Sequence, residues 1–242
     1  MTNFEWLKEI NHKAGENIKT LYSSGNNTDI DKCIAFCNDF ADWVACCGGI
    51  ASYSLIKCAQ IECINSIYLC VQGFYKEAIS ALRQCLEHTL FSIVLSTNDY
   101  RYRLWKAGQF DMTWAQLMDD QNGIFGIQFI RTYAPDIEEI RSVELIRISK
   151  NIYRECSEYI HGNYAKSHDI SKLLTFSESK VKQFTEYFES VKYIICMALF
   201  IRYREVLDDP EHLRKLEPLI TDNIGMLYEV QHLFGKGDPI NE

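Results

Sequence analysis

Apolar residues along the chain recur every three or four positions, and no stretch keeps a strict alternation of apolar and polar residues. The first such stripe consists of Phe4, Leu7, Ile10, Ala14, Ile18 and Leu21. This spacing puts the apolar side chains on one face of a helix. Only 4 prolines and 12 glycines interrupt the 242 residues. The pattern therefore predicts an all-α protein.

Turn-forming residues divide these patterns into separate helices, for example at 24–28, at Gly73 and at Asn122. We expect helices at about 4–22, 28–47, 52–72, 75–95, 99–109, 113–119, 124–133, 136–161, 177–207 and 210–234. Asp136 and Ser177 are the expected caps of their helices, and Pro210 is the expected first residue of the last one.

No long linker or internal repeat separates these helices, so we predict one domain over residues 1–242. The chain is 47% hydrophobic and 13% aromatic, which is enough for a substantial core. We expect the centre of that core to be a bundle of the helices at 52–72, 75–95, 136–161 and 177–207.

The charge and the apolar runs limit the function classes. The formal net charge of −8 disfavours broad, non-specific binding to nucleic acid, but it allows a local basic site. No run of 18 apolar residues is present, and the first residues lack the basic and apolar segments of a signal peptide. We therefore expect a cytoplasmic protein with no membrane contact and no binding to DNA.

Ten cysteines raise the question of a metal site or of disulfides. Cys33 and Cys37 are one helical turn apart, and Cys63 and Cys70 are two turns apart, but no paired CxxC arrangement occurs. Their apolar helical contexts favour buried small side chains in a reducing compartment. No glycine-rich phosphate loop is present either. We expect neither a metal nor a cofactor.

The predicted helix at 136–161 carries the candidate chemistry. Arg154 and His161 are seven residues apart, as are Arg147 and Arg154, so all three share one face, with Lys150 close to the same line. The apolar residues of this helix lie on a different face, and they are Leu145, Ile148, Ile152, Cys156 and Tyr159. Gly162 follows at the expected helix end. A guanidinium and an imidazole placed together suit phosphate chemistry.

Two segments resemble a family of uncharacterised bacterial helical proteins. They are GFYKEAISALRQCLE at 73–87 and SEYIHG at 157–162. Such proteins are similar to the HEPN superfamily, whose active members carry an arginine, four to six residues and then a histidine. Six residues separate Arg154 from His161. The resemblance covers about 52–163, and it implies an HEPN-like helical bundle over about 52–207 with extra helices at both ends.

The resemblance implies a metal-independent endoribonuclease. In that mechanism His161 moves a proton at the RNA 2′-hydroxyl, and Arg154 holds the scissile phosphate and its developing charge. Arg147, Lys150 and Asn151 are the expected substrate-binding residues. DNA is spared because it has no 2′-hydroxyl to act as the nucleophile.

The family also implies partners and supporting residues. We expect a homodimer that acts on single-stranded RNA, with an antitoxin or another partner protein, in a toxin or phage-defence system. Arg83 and Glu87, one helical turn apart, are expected to pair and to support the site together with Tyr159.

Two alternatives remain open. Arg83 and His88 form a second arginine–histidine match, but on a continuous helix they point about 140° apart. The chain also fits a non-catalytic HEPN-like domain that mediates protein association or binds a small nucleotide. In that case Arg154 is an ordinary surface residue, paired for example with Glu158, and His161 bonds nearby carbonyls.

An aromatic group follows the 75–95 helix, and it consists of Tyr100, Tyr102, Trp105, Phe110 and Trp114. Aromatic rings of this kind either stack on nucleobases or cover a helical core. The sequence leaves both interpretations open.

Overall fold

The structure is a computed structural model that describes residues 3–25, 27–48, 52–160 and 174–235. Within these ranges all regular secondary structure is helical and no strand occurs. The predicted all-α class is therefore confirmed.

The described residues form eleven α-helices and one 3₁₀ helix. In chain order the α-helices are α1 (Asn3–Ser23), α2 (Thr28–Cys46), α3 (Tyr53–Gln72), α4 (Tyr75–Leu95), α5 (Asp99–Lys106), α6 (Trp114–Leu117), α7 (Ile127–Tyr133), α8 (Glu139–Ile160), α9 (Glu178–Arg202), α10 (Pro210–Ile224) and α11 (Tyr228–Leu233). The 3₁₀ helix, Arg204–Asp208, lies between α9 and α10.

Helix α4 lies at the centre and contacts α3, α8 and α9. Its core side chains, such as Leu82, Cys85 and Leu90, are fully buried. The second half of α9 is buried on all sides, since every residue from Ile194 to Ile201 is inaccessible to solvent or nearly so. A helix that is apolar all round belongs in the interior of a fold. The four predicted central helices therefore pack together.

Several predicted helix ends are confirmed, because residues at those ends determine them. Gly73 has a φ of +92°, and the backbone N–H groups of Gly73 and Phe74 bond to the last carbonyls of α3. Ser177 caps α9 by accepting a hydrogen bond from the Lys180 backbone, and Pro210 is the first residue of α10. Each of these ends was predicted from residue type.

The predicted cap at Asp136 is wrong, because α8 begins at Glu139. Both carboxylate oxygens of Asp136 accept hydrogen bonds from Nη1 of Arg204, at 2.8 and 2.7 Å. Asp136 therefore pairs with a residue 68 positions away instead of capping the helix.

Two long predicted helices are each divided. The helix expected over 177–207 ends at Arg202, and a 3₁₀ turn follows it. The helix expected over 210–234 consists of α10 and α11, with a break at 225–227. At Gly225 a Cβ would lie 2.2 Å from the Thr221 carbonyl oxygen, so this turn requires glycine.

Among the described helices, α3 alone is long and apolar enough to cross a membrane by length and composition. Core helices of soluble proteins meet the same criteria. Helix α3 contacts α1, α2 and α4, and Ala59, Cys63 and Cys70 on it are fully buried. These contacts are consistent with a soluble protein.

Candidate functional site

Helix α8 has two opposite faces, as predicted. Leu145, Ile152, Cys156 and Tyr159 are buried, and Ile148 is half-buried. Four polar side chains on the other side are exposed to solvent, and they are Arg147, Lys150, Asn151 and Arg154. We call these four residues the basic face of α8. The predicted separation of core and cationic residues is therefore confirmed for the described part of the helix.

The charge of the basic face is accessible. The Arg154 side chain is 68% exposed, and its Nη2 lies 4.0 Å from Oε1 of Glu155. That distance is at the limit of an ion pair, and exposed pairs of this kind contribute little. Arg147 and Lys150 form no ion pair with any described residue. These three cations can therefore bind an external anion.

His161, the proposed proton-transfer residue, lies outside the described residues, as does Gly162. The relation between Arg154 and His161 therefore stays a prediction from their spacing. Helix α8 is described as far as Ile160.

Arg83 of α4 forms the predicted pair with Glu87. Its side chain is only 15% exposed, and Nη2 lies 3.1 Å from Oε1 of Glu87. The same Nη2 donates a 2.7 Å hydrogen bond to the hydroxyl of Tyr153 on α8. Arg83 therefore joins the two helices and lies below the surface, whereas Arg154 lies on it.

Tyr153 was not among the residues predicted from the sequence. Its ring stacks on Trp114 with centroids 3.9 Å apart and an interplanar angle of 6°. The Arg83 guanidinium carbon lies 4.5 Å from the centre of the same ring. Burial and the negative charge of Glu87 raise the pKa of Tyr153, so its hydroxyl stays protonated at neutral pH. No local pattern could identify Tyr153, because Arg83 is 70 residues away.

Arg83 and His88, the second arginine–histidine match, share no hydrogen bond within the described part of the chain. Arg83 bonds to Glu87 and Tyr153, whereas Nδ1 of His88 is buried without a hydrogen-bond partner in the described part of the chain. This arrangement agrees with the predicted angle between the two positions on one helix.

Tyr159, the third predicted supporting residue, is buried on the core side of α8. Its hydroxyl donates a 2.6 Å hydrogen bond to Oε1 of Gln183 on α9. Gln183 in turn donates to the Tyr187 hydroxyl, which donates to Glu155 at 3.0 Å. Tyr159 therefore fixes α8 against α9, and the structure does not bring it to the basic face.

The aromatic group after α4 covers the core in part. The Trp105 ring packs edge-on against Phe91 with centroids 5.9 Å apart, and Trp114 stacks on Tyr153. Tyr100 is exposed. Phe110 lies 6.5 Å from Phe91, and Tyr102 lies 6.2 Å from Trp105, between ring centroids. Four of the five rings therefore contact another ring of the described chain.

A cavity of about 300 Å³ lies between the end of α4, α5 and the segment 112–123. Its polar and apolar lining includes Arg101, Met112, Ala115, Gln116, Asp119 and Asn122. Backbone N–H groups of Asn122 and Gln121 lower the pKa of Asp119, and the positive charge of Lys150 lowers it further. Trp114, the neighbour of Ala115 in this lining, stacks on Tyr153 of α8, so the cavity borders the helix that carries the basic face.

The cysteines are all free thiols, and only Cys58 is exposed. Burial raises the pKa of Cys33, Cys47 and Cys196 to about 12. The described residues contain no group of three or more histidine, cysteine, aspartate or glutamate side chains arranged to hold a metal ion. The buried cysteines therefore pack as small apolar side chains.

Comparisons with models of known protein families, with curated proteins and with solved structures find no match to this chain. The likeness to the HEPN superfamily consequently rests on the two sequence segments at 73–87 and 157–162.

Proposed function

We propose that this protein is a cytoplasmic, HEPN-like, metal-independent endoribonuclease that acts on single-stranded RNA as a homodimer. The observation that carries the proposal is the basic face of α8, with Arg147, Lys150 and Arg154 exposed and accessible to an anion. In a protein with a net charge of −8, such a face attracts phosphate locally without making the whole surface bind nucleic acid.

The proposed chemistry needs only a cation and a proton carrier. The 2′-oxygen of the RNA attacks the adjacent phosphorus, the bond to the 5′-oxygen breaks, and a cyclic phosphate and a free 5′-hydroxyl result. Arg154 stabilises the negative charge that develops on the phosphate oxygens. His161 accepts the proton of the 2′-hydroxyl, and a proton passes to the leaving 5′-oxygen; imidazole suits this transfer because it titrates near neutral pH. An antitoxin or another partner protein would restrain this activity in a toxin or phage-defence system.

A second candidate is a non-catalytic HEPN-like domain for protein association or binding of a small nucleotide. It is favoured by the first turns of α1, where Phe4, Trp6 and Leu7 are exposed. The predicted apolar stripe of α1 is buried at Ala14 and Leu21, but this first part of it is left uncovered. Exposed apolar residues in a group mark surfaces that bind other proteins.

The deciding experiment incubates the purified full-length protein with single-stranded RNA in a chelator, and with DNA of the same sequence as the control. Cleavage of the RNA alone, with cyclic phosphate ends, supports the nuclease. If every RNA stays intact although the protein is dimeric, the result favours the non-catalytic domain.

A further inference from the structure

We infer that the cavity lined by Arg101, Gln116, Asp119 and Asn122 binds one nucleobase of the RNA, and that the preferred base is guanine. This inference deepens the proposed function, on which it rests, by naming the base next to the phosphate that the basic face holds. The cavity volume of about 300 Å³ is at the lower end of the range for small-ligand sites, which suits a single base.

Helix α6 connects the cavity to α8. Its Trp114 stacks on Tyr153 of α8 with ring centroids 3.9 Å apart, and its next residues, Ala115 and Gln116, line the cavity. Tyr153 lies between Lys150 and Arg154 along α8. A phosphate bound by Lys150 and Arg154 would therefore lie on the helix that borders the cavity, and we expect the attached base to enter it.

Asp119 is held in a fixed orientation with one oxygen available. Its Oδ1 accepts hydrogen bonds from the backbone of Asn122 at 2.7 Å and of Gln121 at 3.1 Å. Its Oδ2 has no hydrogen-bond partner among the described residues. A carboxylate oxygen has two lone pairs, so this atom can accept two further hydrogen bonds.

Gln116 provides the complementary donor. Its Oε1 accepts a 3.0 Å hydrogen bond from the Thr113 backbone, which fixes the side-chain amide. The amide nitrogen has no bond to a described residue and can donate to a ligand. Arg101 adds a cationic donor to the same lining, and Met112 adds an apolar surface for the ring.

The loop that carries these groups is built tightly. The backbone N–H of Ile124 bonds to the Leu117 carbonyl, and that of Gly123 bonds to the Asp119 carbonyl. A Cβ at Gly123 would lie 2.4 Å from the Leu117 carbonyl oxygen, so only glycine fits there. The backbone that carries Asp119 and Asn122 is therefore fixed before a ligand binds, which favours affinity.

Guanine matches this set of groups better than the other bases. It has two adjacent donors, N1–H and the 2-amino group, which both reach one carboxylate, and its O6 accepts from an amide or a guanidinium. Adenine, cytosine and uracil each lack the pair of adjacent donors. Sequence-specific RNA binding uses such contacts to the Watson–Crick edge of an unstacked base.

The test titrates GMP, AMP, CMP and UMP separately into the full-length protein and measures affinity by calorimetry. We expect GMP to bind about tenfold more tightly than the other three, as one or two hydrogen bonds to a charged group allow. Asp119→Asn should abolish this preference. Asp120→Asn is the matched control, because Asp120 is exposed like Asp119 but does not line the cavity.

A second variant, Ala115→Trp, fills the cavity without removing a polar group, and it should weaken GMP binding in the same way. Thermal melting confirms that each variant is folded. Equal affinity for the four nucleotides, or full GMP binding by Asp119→Asn and by Ala115→Trp, would overturn the inference.

The experiments distinguish a wrong guanine site from a wrong nuclease proposal. If RNA is cut and Arg154→Ala stops the cutting, but GMP does not bind, the nuclease stands and the guanine site is wrong. If GMP binds through Asp119 and no RNA is cut, the guanine site stands and the nuclease is wrong.

Discussion

Arg83 and Tyr153 connect the central helix α4 to α8 in two ways. Nη2 of Arg83 donates a 2.7 Å hydrogen bond to the Tyr153 hydroxyl, and the guanidinium carbon lies 4.5 Å from the centre of the ring. Glu87 shares the same guanidinium nitrogen at 3.1 Å. The contact fixes the orientation of α8 about its own axis. Arg154 follows Tyr153 directly and is exposed on the outer side of the same helix.

We predict that Arg83→Met lowers the free energy of unfolding by about 2 kcal/mol, because Glu87 and the half-buried Tyr153 both lose their partner. Urea unfolding followed by circular dichroism measures the change. Arg103→Met is the control, since Arg103 pairs with Asp99 at the same i, i+4 spacing but in an exposed position. Equal unfolding midpoints for the two variants would show that the Arg83 contact does not stabilise the fold.

The proposed chemistry predicts that His161→Ala lowers the rate of RNA cleavage by about two to four orders of magnitude, the usual effect of losing a positioned acid or base. Arg154→Ala should cause a similar loss, since the developing phosphate charge loses its cation. Both rates are measured under single-turnover conditions in a chelator.

Two controls accompany these variants. The melting temperature of Arg154→Ala should equal that of the wild type, because the side chain is exposed and makes one weak ion pair with the described residues. His88→Ala should cut RNA at the wild-type rate. Activity that persists in both site variants would mean that another group, or a contaminating nuclease, cuts the RNA.

The proposed homodimer should form with α8 near the two-fold axis. Ile140 and Val143 are 68% and 64% exposed at the start of α8, on the side that also carries Arg147. Light scattering should give twice the chain mass of 28.2 kDa at micromolar concentration. The double variant Ile140→Asp, Val143→Asp should give a monomer, because charges in an apolar interface are costly.

Tyr68→Asp is the control for this dimer. It places a charge at another exposed apolar residue, on α3, and should leave the dimer intact. A wild-type protein that stays monomeric, or a dimer that only Tyr68→Asp dissociates, would contradict the proposed interface.

The thiols should react very unequally. At pH 8 we expect one fast-reacting cysteine per native chain, Cys58, because it alone is exposed. Burial raises the pKa of Cys33, Cys47 and Cys196 to about 12, so almost none of these thiols is in the reactive thiolate form. A disulfide reagent followed by absorbance counts the thiols, with Cys58→Ser as the control and ten expected after denaturation. Several fast thiols in the native protein would contradict the described burial.

We predict that Asp209 makes the free energy of unfolding depend on pH in the acidic range. Its carboxylate caps α10 by accepting hydrogen bonds from the backbone of Glu211 and His212, which lower its pKa from 3.8. The charged form is therefore favoured by folding. The contribution of the Asp209 carboxylate to the free energy of unfolding is fully present above about pH 4, and it is lost as the pH falls through the lowered pKa.

Asp209→Ala should accordingly melt at a lower temperature than the wild type at pH 7, and the difference should shrink in strong acid. Melting curves from pH 7 to pH 2 measure it. Asp208→Ala, which removes an exposed neighbour outside the cap, should follow the wild type. A difference that is constant over this range would exclude the charged cap as its cause.

The contrast between Ser177 and Asp136 shows where sequence reasoning succeeds and where it fails. Both are typical cap residues in front of an apolar pattern, yet Ser177 caps its helix and Asp136 does not. Asp136 instead binds Arg204, which follows it by 68 residues. A local rule describes what a side chain can do, but competition from a distant partner decides what it does.

The sequence alone determined the all-helical class, the end of α3 at Gly73 and the buried and exposed faces of α8. Each depends on residues within a few turns of one another, where helical periodicity and backbone preference act directly. The tertiary structure alone decided that Arg83 and Trp114 both contact Tyr153 and that Asp119 lines a cavity bordering α8. These residues come together because helices pack side by side, and packing joins positions that no local pattern relates.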